Sequence, residues 1–421
     1  MSDTRFWHPF ATMGSIRSAE CVIERGEDVW VWDDRGRRLL DATASLWYAN
    51  VGHGRKAIAD AVAAQMASIE TYSCFGDFAN RPALELCERL ARLAPVKDAR
   101  VFLGSGGGDG IDTAAKLARR YFAETGHPER ERIITRTSAY HGTHGFGTSL
   151  AGIPANRAGY GHLIEPIGIV DKDSPDALRD EIERVGADRV AAFFAEPVIG
   201  AGGVHPPRPG YLEACAEICR DAGVLFVADC VIVGFGRLGG WTGVERFGLE
   251  PDMIVFAKGV TSGYLPLGGV IVSGEIAAPF WDADSAPALR HGATYAGHAA
   301  CAAAALANLD ILESEGLVPR GQELEGPLLE ALRPLARHPL VSEVRGGVGL
   351  LAAVELDASL LERDPGAPSS MALHARDEAG VLLRALASGL AVSPPLTIQP
   401  EHIEQIADGC RAALDHTLAT V

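Results

Sequence analysis

Val224-Leu225-Phe226-Val227-Ala228-Asp229 and Met253-Ile254-Val255-Phe256-Ala257-Lys258-Gly259 decide the fold of this 421-residue chain. Each is a run of five apolar residues closed by a charge. Such a run reads as a strand buried on both faces, the environment of a parallel sheet. In open α/β sheets, ligands bind beyond the carboxyl ends of the strands, where Asp229 and Lys258 would stand. A lysine just past a strand is usually solvated, and an aspartate there often only caps a helix. The pair therefore takes its meaning from the rest of the chain.

Working outward, helical patterns at 57–70, 82–93, 110–124 and 209–222 alternate with short apolar strands at 100–103, 131–135, 190–195, 224–229, 253–257 and 268–273. Alternation of this kind predicts an α/β fold with a mostly parallel sheet covered by helices. Upstream, residues 20–41 read as a small antiparallel meander with a tight turn at Asp34-Arg35-Gly36. Beyond residue 315 the texture changes to a helix at 318–337, strands at 341–345 and 350–356, a helix at 370–379, a strand at 381–384 and a helix from about 401. Residues 362–369 read as a surface loop. The expected organisation is a large domain over 56–315 and a smaller α+β domain from 316–421, joined by the N-terminal segment and meander of 1–55.

Composition narrows the function. The chain is 47% hydrophobic and 22% charged, with a net charge of -17 and a pI near 5.2. That is globular, and it argues against nucleic acid or an anionic membrane as partner. Met1-Ser2-Asp3-Thr4-Arg5-Phe6 does not have the pattern of a secretory signal. Eight cysteines without a Cys-x-x-Cys pair read as reduced thiols of a cytoplasmic protein, so neither disulfides nor a metal site is expected.

Other strand ends carry chemistry. Gly104-Ser105-Gly106-Gly107-Gly108-Asp109-Gly110 lies between a strand and a helix, where glycines let backbone amides approach an anion; a flexible turn is the alternative. The segment has neither a dinucleotide fingerprint nor a Walker lysine. Tyr140-His141-Gly142 offers an aromatic beside a loop glycine. Glu196 closes the apolar run 191–195. Arg237 reads equally well as a solvated loop cation. Arg384, after Val381-Leu382-Leu383, could grip a carboxylate or serve a structural ion pair. An amine and an acid meeting at neighbouring strand ends, beside an anion cup and an aromatic, is the set that pyridoxal 5'-phosphate requires: a lysine for its carbonyl and an acid for its ring nitrogen.

From His8-Pro9-Phe10 to the C-terminus the chain resembles the class III (ω-) aminotransferases of fold type I. The resemblance is carried by Leu46-Trp47 through Asn50-Val51-Gly52-His53-Gly54-Arg55, and by Asp229-Cys230-Val231-Ile232-Val233-Gly234-Phe235-Gly236-Arg237. It extends over Ala257-Lys258-Gly259, His291-Gly292-Ala293-Thr294-Tyr295, Arg345-Gly346 and Ser393-Pro394-Pro395-Leu396. It implies that Lys258 carries the cofactor and shuttles a proton, and that Asp229 pairs with the ring nitrogen. Val231 and Tyr140 would flank the ring, with His141 and Glu196 beside it. Gly107 and Gly108 would hold the phosphate, together with Thr294 from a partner subunit. Trp47 would line the substrate pocket, and Arg384 would swing in for a carboxylate. The implied reaction moves an amino group from an amine or ω-amino acid to a keto acid such as pyruvate. It is ping-pong through pyridoxamine phosphate, in a homodimer with interfacial sites that could pair into a tetramer.

The family's pattern is broken at Gly106, Gly108, Cys230, Val233, Thr242, Ala293 and Ala299, several of them near the expected cofactor. Phospholyase, aminomutase or racemase chemistry uses the same lysine, acid and cup, and a non-catalytic pyridoxal-binding protein is a further alternative.

Overall fold

The computed structural model of the chain describes residues 4–420, so the first three residues of Met1–Phe6, the stretch read as lacking a secretory pattern, lie outside the described residues. The N-terminal meander is formed by β1 (Ile23–Glu27), β2 (Trp30–Asp33) and β3 (Arg38–Asp41). Seven strands follow: β4 (Arg100–Gly104), β5 (Arg132–Arg136), β6 (Ile167–Val170), β7 (Val190–Ala195), β8 (Leu225–Asp229), β9 (Met253–Phe256) and β10 (Gly268–Val272). They make one sheet in the order β4-β10-β9-β8-β7-β5-β6.

The apolar runs are continuous because both faces of this sheet are covered. On β7, β8 and β9, Phe193, Phe226 and Ile254 pack into one core, with Leu212, Cys215 and Cys219 of the Tyr211–Ala222 helix. Their neighbours Phe194, Val227 and Val255 point the other way, onto Ile111, Ala114, Leu117 and Phe122 of the Gly107–Glu124 helix. Alternate side chains serve opposite cores, so no polar residue is tolerated between them. Each such large side chain contributes about 1.5–3 kcal/mol on burial.

The sheet is mostly parallel, with one exception to the alternation read from sequence. β10 runs antiparallel to both β9 and β4. The link from Phe256 to Gly268 is eleven residues (257–267) and holds only a short 3₁₀ turn, less than a parallel crossover needs. β6 and the Pro175–Val185 helix, capped by Ser174, have no counterpart in the sequence reading. β6 is a four-residue edge strand with alternating exposure, too short to stand out.

At the other end the chain adds β11 (Val341–Arg345), β12 (Ala352–Leu356), β13 (Val381–Leu382), β14 (Arg384–Ala385) and β15 (Gly389–Val392). The expected strand 381–384 is split at Leu383: β13 pairs parallel with β3 of the meander, while β14 joins the sheet β11-β12-β15-β14. The expected helix 318–337 is three pieces, Arg320–Glu323, Glu325–Leu332 and a 3₁₀ turn Arg333–Arg337. Pro327 and Pro334 lack the N–H a continuous helix would use there. The expected loop 362–369 shrinks to Asp364–Gly366, between helices Ala358–Arg363 and Ala367–Glu378, and Ala367 is fully buried. No helix among the described residues is long and apolar enough to cross a membrane.

Candidate active site

Asp229 is the last residue of β8 and pairs with Val255 of β9; Lys258 follows two residues after β9 ends. Both therefore emerge at the carboxyl edge of the sheet, as the apolar runs predicted. Lys258 opens the 3₁₀ turn Lys258–Val260 with φ +48°, a left-handed conformation that costs a non-glycine residue about 1–3 kcal/mol. The surroundings hold it there. Asn308 Nδ2 donates to the carbonyls of Gly259 (2.9 Å) and Val260 (3.0 Å). A Cβ on Gly259 would come within 2.6 Å of Asn50 Nδ2, so only glycine fits beneath the lysine.

Asn50 is itself fixed by Arg237, whose Nη2 donates to Asn50 Oδ1 at 2.9 Å. Arg237 Nη1 donates to the carbonyls of Leu350 (3.0 Å) and Pro394 (2.6 Å). Arg237 is fully buried, and burial pushes its pKa down to about 10. The solvated-loop alternative for this residue is thus wrong: it ties three distant segments beneath the site.

The electrostatics centre on Lys258. Burial lowers its pKa to about 8, against the pull of Asp229 and Glu196, while Arg384 adds to the lowering. Asp229 faces it with both oxygens engaged: Oδ2 lies 2.7 Å from His141 Nδ1, and Oδ1 accepts Val231 N–H at 3.1 Å. His141 Nε2 lies 3.2 Å from Thr135 Oγ1, which fixes the ring plane. Glu196 accepts the N–H groups of Tyr140 (3.1 Å) and Gly200 (3.0 Å). Burial pushes its carboxyl upward, opposed by His141 and reinforced by Asp229. Cys230 is buried, and burial raises its thiol well above the usual range, so it is no nucleophile.

These groups line a cavity of about 410 Å³, closed at one end by Ser105 and Gly106–Gly108, a size ordinary for a cofactor site. Gly107 and Gly108 form the first turn of the eighteen-residue Gly107–Glu124 helix. Asp109 Oδ2 accepts Ser105 N–H at 2.8 Å, so the cup is an ordered turn. A Cβ on Gly107 would lie 2.9 Å from both methyls of Val231, and one on Gly108 would lie 2.8 Å from His144 Nδ1. Tyr140 lines the cavity beside His141 and takes the edge of Phe10 at 6.4 Å.

Three expected residues stand elsewhere. Trp47 is 3% exposed and packs in the core, not in the cavity wall; its neighbour Tyr48 lines the cavity instead. The segment is not a regular helix: Ala44, Ser45 and Trp47 all have positive φ. Residue spacing therefore does not tell which of two adjacent aromatics turns inward. Thr294 is exposed and outside this chain's cavity. Arg384 is exposed on β14, outside the cavity lining, although its charge is felt by both Lys258 and Tyr140. The wall formed by Thr261, Gly263 and Leu265–Leu267 was not foreseen; its nearness to Lys258 in the chain was the only signal for it.

The residues suit pyridoxal phosphate. There is a half-buried amine of lowered pKa, a buried carboxylate with both oxygens oriented, and a glycine cup in which a Cβ on Gly107 would press on Val231 and one on Gly108 on His144. Comparison with known proteins agrees. The model of the class III aminotransferase family matches residues 13–414. The chain is 37% identical to the putrescine–pyruvate aminotransferase of Pseudomonas aeruginosa, over 95% of this chain and 91% of that one. It is 35% identical to the omega-aminotransferase of Caulobacter vibrioides, over 97% of each. Its fold superposes on the thermostable (S)-enantioselective omega-transaminase of Thermomicrobium roseum with a TM-score of 0.93, at 38% identity over 98% and 96% of the two chains. An amine transaminase of an uncultivated Pseudomonas species, solved in its PLP-bound form, gives 0.92 at 36% identity over 99% of each. The chain belongs to the class III aminotransferases, and is a fold type I transaminase whose cofactor is pyridoxal phosphate.

Proposed function

We propose that this enzyme takes the amino group of an uncharged amine or an ω-amino acid and passes it to a small keto acid such as pyruvate, both half-reactions using the one cavity. The observation that carries the reading is Lys258, a half-buried amine with a pKa near 8, in one cavity with an Asp229 locked by His141. The names of the relatives, a putrescine–pyruvate aminotransferase among them, support this substrate class.

Bound in the cavity, pyridoxal phosphate would supply the carbonyl that receives nitrogen and the ring that stores an electron pair. The chain's own residues do the rest. Lys258 Nζ would hold the cofactor and then move a proton to and from the substrate carbon, which its lowered pKa makes feasible near neutral pH. Asp229 would keep the ring nitrogen protonated, and His141 would fix the carboxylate that does so. Val231 and Tyr140 would bracket the ring, while the N–H groups of Gly107 and Gly108 would face the phosphate. Glu196 would hold the Tyr140 backbone in place. Arg384 would pair a substrate carboxylate in a fork; its two-residue strand and its exposure suit a side chain that turns away for an uncharged amine.

We read residues 56–315 as the cofactor domain, with 1–55 and 316–421 as the small one; the pairing of β13 with β3 supports that grouping. The working unit in this reading is a homodimer whose partner subunit's Thr294 completes the phosphate site. Eight free thiols suit the cytoplasm.

The test is an absorbance titration of purified protein loaded with pyridoxal phosphate. An amine donor should bleach the visible cofactor band and pyruvate should restore it. A band that forms but never responds to any donor, while a phosphorylated amino alcohol releases phosphate, would transfer the reading to a lyase.

A further inference from the structure

Three of the four residues of the turn Ala44–Trp47 have left-handed backbone: Ala44, Ser45 and Trp47 stand at φ +44°, +57° and +67°. Non-glycine residues keep such angles only where their surroundings over-determine them, and strain of this kind collects at functional sites. The next residue, Tyr48, is half-buried and reaches the cavity. Its ring lies on Gly263, where a Cβ would come within 2.3 Å of Tyr48 Cδ2 and 2.5 Å of Cε2. Tyr48 and Gly263 share the cavity wall with Thr261 and Leu265, on the stretch of chain just past Lys258. In the proposed function, on which this inference rests, Gly107 and Gly108 are committed to the phosphate, and Val231 and Tyr140 to the faces of the ring. The wall that carries Tyr48 is the one left for the amine donor.

A chain of hydrogen bonds leads from Tyr48 away from the cavity. The Tyr48 hydroxyl lies 2.6 Å from Ser45 Oγ. Ser45 N–H donates to Asp41 Oδ2 at 2.6 Å, and Asp41 Oδ1 accepts Thr43 N–H at 3.0 Å. Asp41 is fully buried, where a carboxylate needs donors on both oxygens. His53 completes the set, its Nε2 2.8 Å from the same Asp41 Oδ2 that holds Ser45. A carboxylate only accepts, so Nε2 carries the hydrogen of this bond. His53 is fixed in its turn. Its N–H donates to Asp28 O at 2.8 Å, its carbonyl accepts Asp28 N–H at 3.0 Å, and a Cβ on Gly26 would lie 2.7 Å from His53 Cβ. The imidazole itself lines a separate polar cleft with Asp28 and Arg55 and stays out of the cavity. Any part it has in the reaction is played through Asp41.

We propose that His53 is a positioning residue for the amine donor: through Asp41 and Ser45 it fixes the strained turn that sets Tyr48 in the donor's wall of the cavity.

The experiment is steady-state kinetics of the enzyme loaded with pyridoxal phosphate, with 1-phenylethylamine as donor and pyruvate as acceptor. His53→Leu removes the hydrogen bond to Asp41 and keeps bulk against Gly26. It should raise KM for the amine at least about tenfold, the effect of one hydrogen bond to a charged group, and change kcat by less than about threefold. His53→Gln, whose amide nitrogen replaces Nε2, should restore most of the loss. In Tyr48→Ala, which has no ring to position, His53→Leu should add little. Ser45→Ala removes one exposed hydroxyl and leaves the buried bonds of Asp41 intact, so its folding is not at stake. It should raise the same KM about threefold in the parent and not at all in Tyr48→Phe, which has no hydroxyl to hold. A His53→Leu effect that stays whole in Tyr48→Ala, a loss confined to kcat, or Ser45→Ala and Tyr48→Phe effects that simply multiply would each overturn the assignment. If His53→Leu does not fold, the Ser45 and Tyr48 pair decides the matter. An unsubstituted enzyme that turned over no amine would overturn the proposed function instead, a result distinct from these.

Discussion

At the scale of single residues, the site turns on how burial and charge set one amine. With a pKa near 8, about a tenth of Lys258 is neutral at pH 7, against about one part in three thousand for an ordinary lysine. The sign follows: covalent capture of pyridoxal phosphate by cofactor-free protein should speed up as pH rises, with a midpoint near 8 and a plateau above it, followed in a stopped-flow spectrophotometer. A midpoint near 10 would mean that the lysine is solvated. Lys258→Ala should cost at least about a thousandfold in amine turnover. Arg384→Ala should raise KM for pyruvate and for ω-amino acids by about 10- to 100-fold and spare an uncharged amine. Equal damage to both would remove Arg384 from the carboxylate role. Lys258 and Asp229 were legible in sequence because a buried strand tolerates no charge until it ends, so a charge closing an apolar run marks the edge. Arg237 was not legible. Its burial depends on the carbonyls of Leu350 and Pro394, more than a hundred residues away, and no local pattern encodes them.

At the scale of elements, the first turn of the Gly107–Glu124 helix is where two demands collide. Glycine is a poor helix former, by about 1 kcal/mol against alanine. Gly107 lacks the positive φ that would otherwise require it, so Gly107→Ala gains helix propensity. Its new Cβ would also press on both methyls of Val231 at 2.9 Å, the residue proposed to wall the cofactor ring. The expected outcome is a thermal midpoint of cofactor-free protein within a few degrees of the parent, with affinity for pyridoxal phosphate lower by about tenfold. A large drop in the midpoint would mean that the clash deforms the fold instead of the cup. The turn at Ala44–Trp47 shows the opposite arrangement. Its positive-φ residues are held by Asp41, whose carboxylate takes Thr43 N–H (3.0 Å), Thr43 Oγ1 (3.0 Å) and Ser45 N–H (2.6 Å). Elements of this kind were the least legible ones: periodicity finds helices and strands but is silent where the backbone turns left-handed, which is why Trp47 was expected where Tyr48 stands. Strand direction was lost for a related reason. The apolar run of β10 looks like its neighbours, and only the length of its connection reverses it.

At the scale of the whole molecule, the alternation of strands and helices, the two-faced sheet and the extra strands at both ends were all readable from pattern, whereas assembly was not. The folded chain leaves Met66, Tyr72, Phe75, Phe78, Leu84 and Tyr295 each more than half exposed. Tyr72 meets Phe78 edge-on at 5.3 Å, and a Cβ on Gly292 would touch the Phe75 ring. Asn80 Nδ2 donates to Gly297 O at 2.7 Å and Ala300 N–H to Glu70 O at 3.2 Å. The segment 69–80 and the 291–298 turn that bears Thr294 therefore pack against each other, and between them they expose Tyr72, Phe75, Phe78 and Tyr295, large apolar side chains of the kind that mark interaction surfaces when they cluster. If this surface joins two copies, the partner's threonine reaches the phosphate only while the dimer holds, and assembly and cofactor affinity must fail together. Phe75→Lys, which puts a charge into the middle of that surface, should shift the protein to monomer in sedimentation and weaken pyridoxal phosphate markedly, while pyridoxal, having no phosphate to lose, binds the monomer nearly as before. A stable monomer that keeps full affinity for the phosphorylated cofactor would place the whole phosphate site within one chain and leave Thr294 without its proposed part.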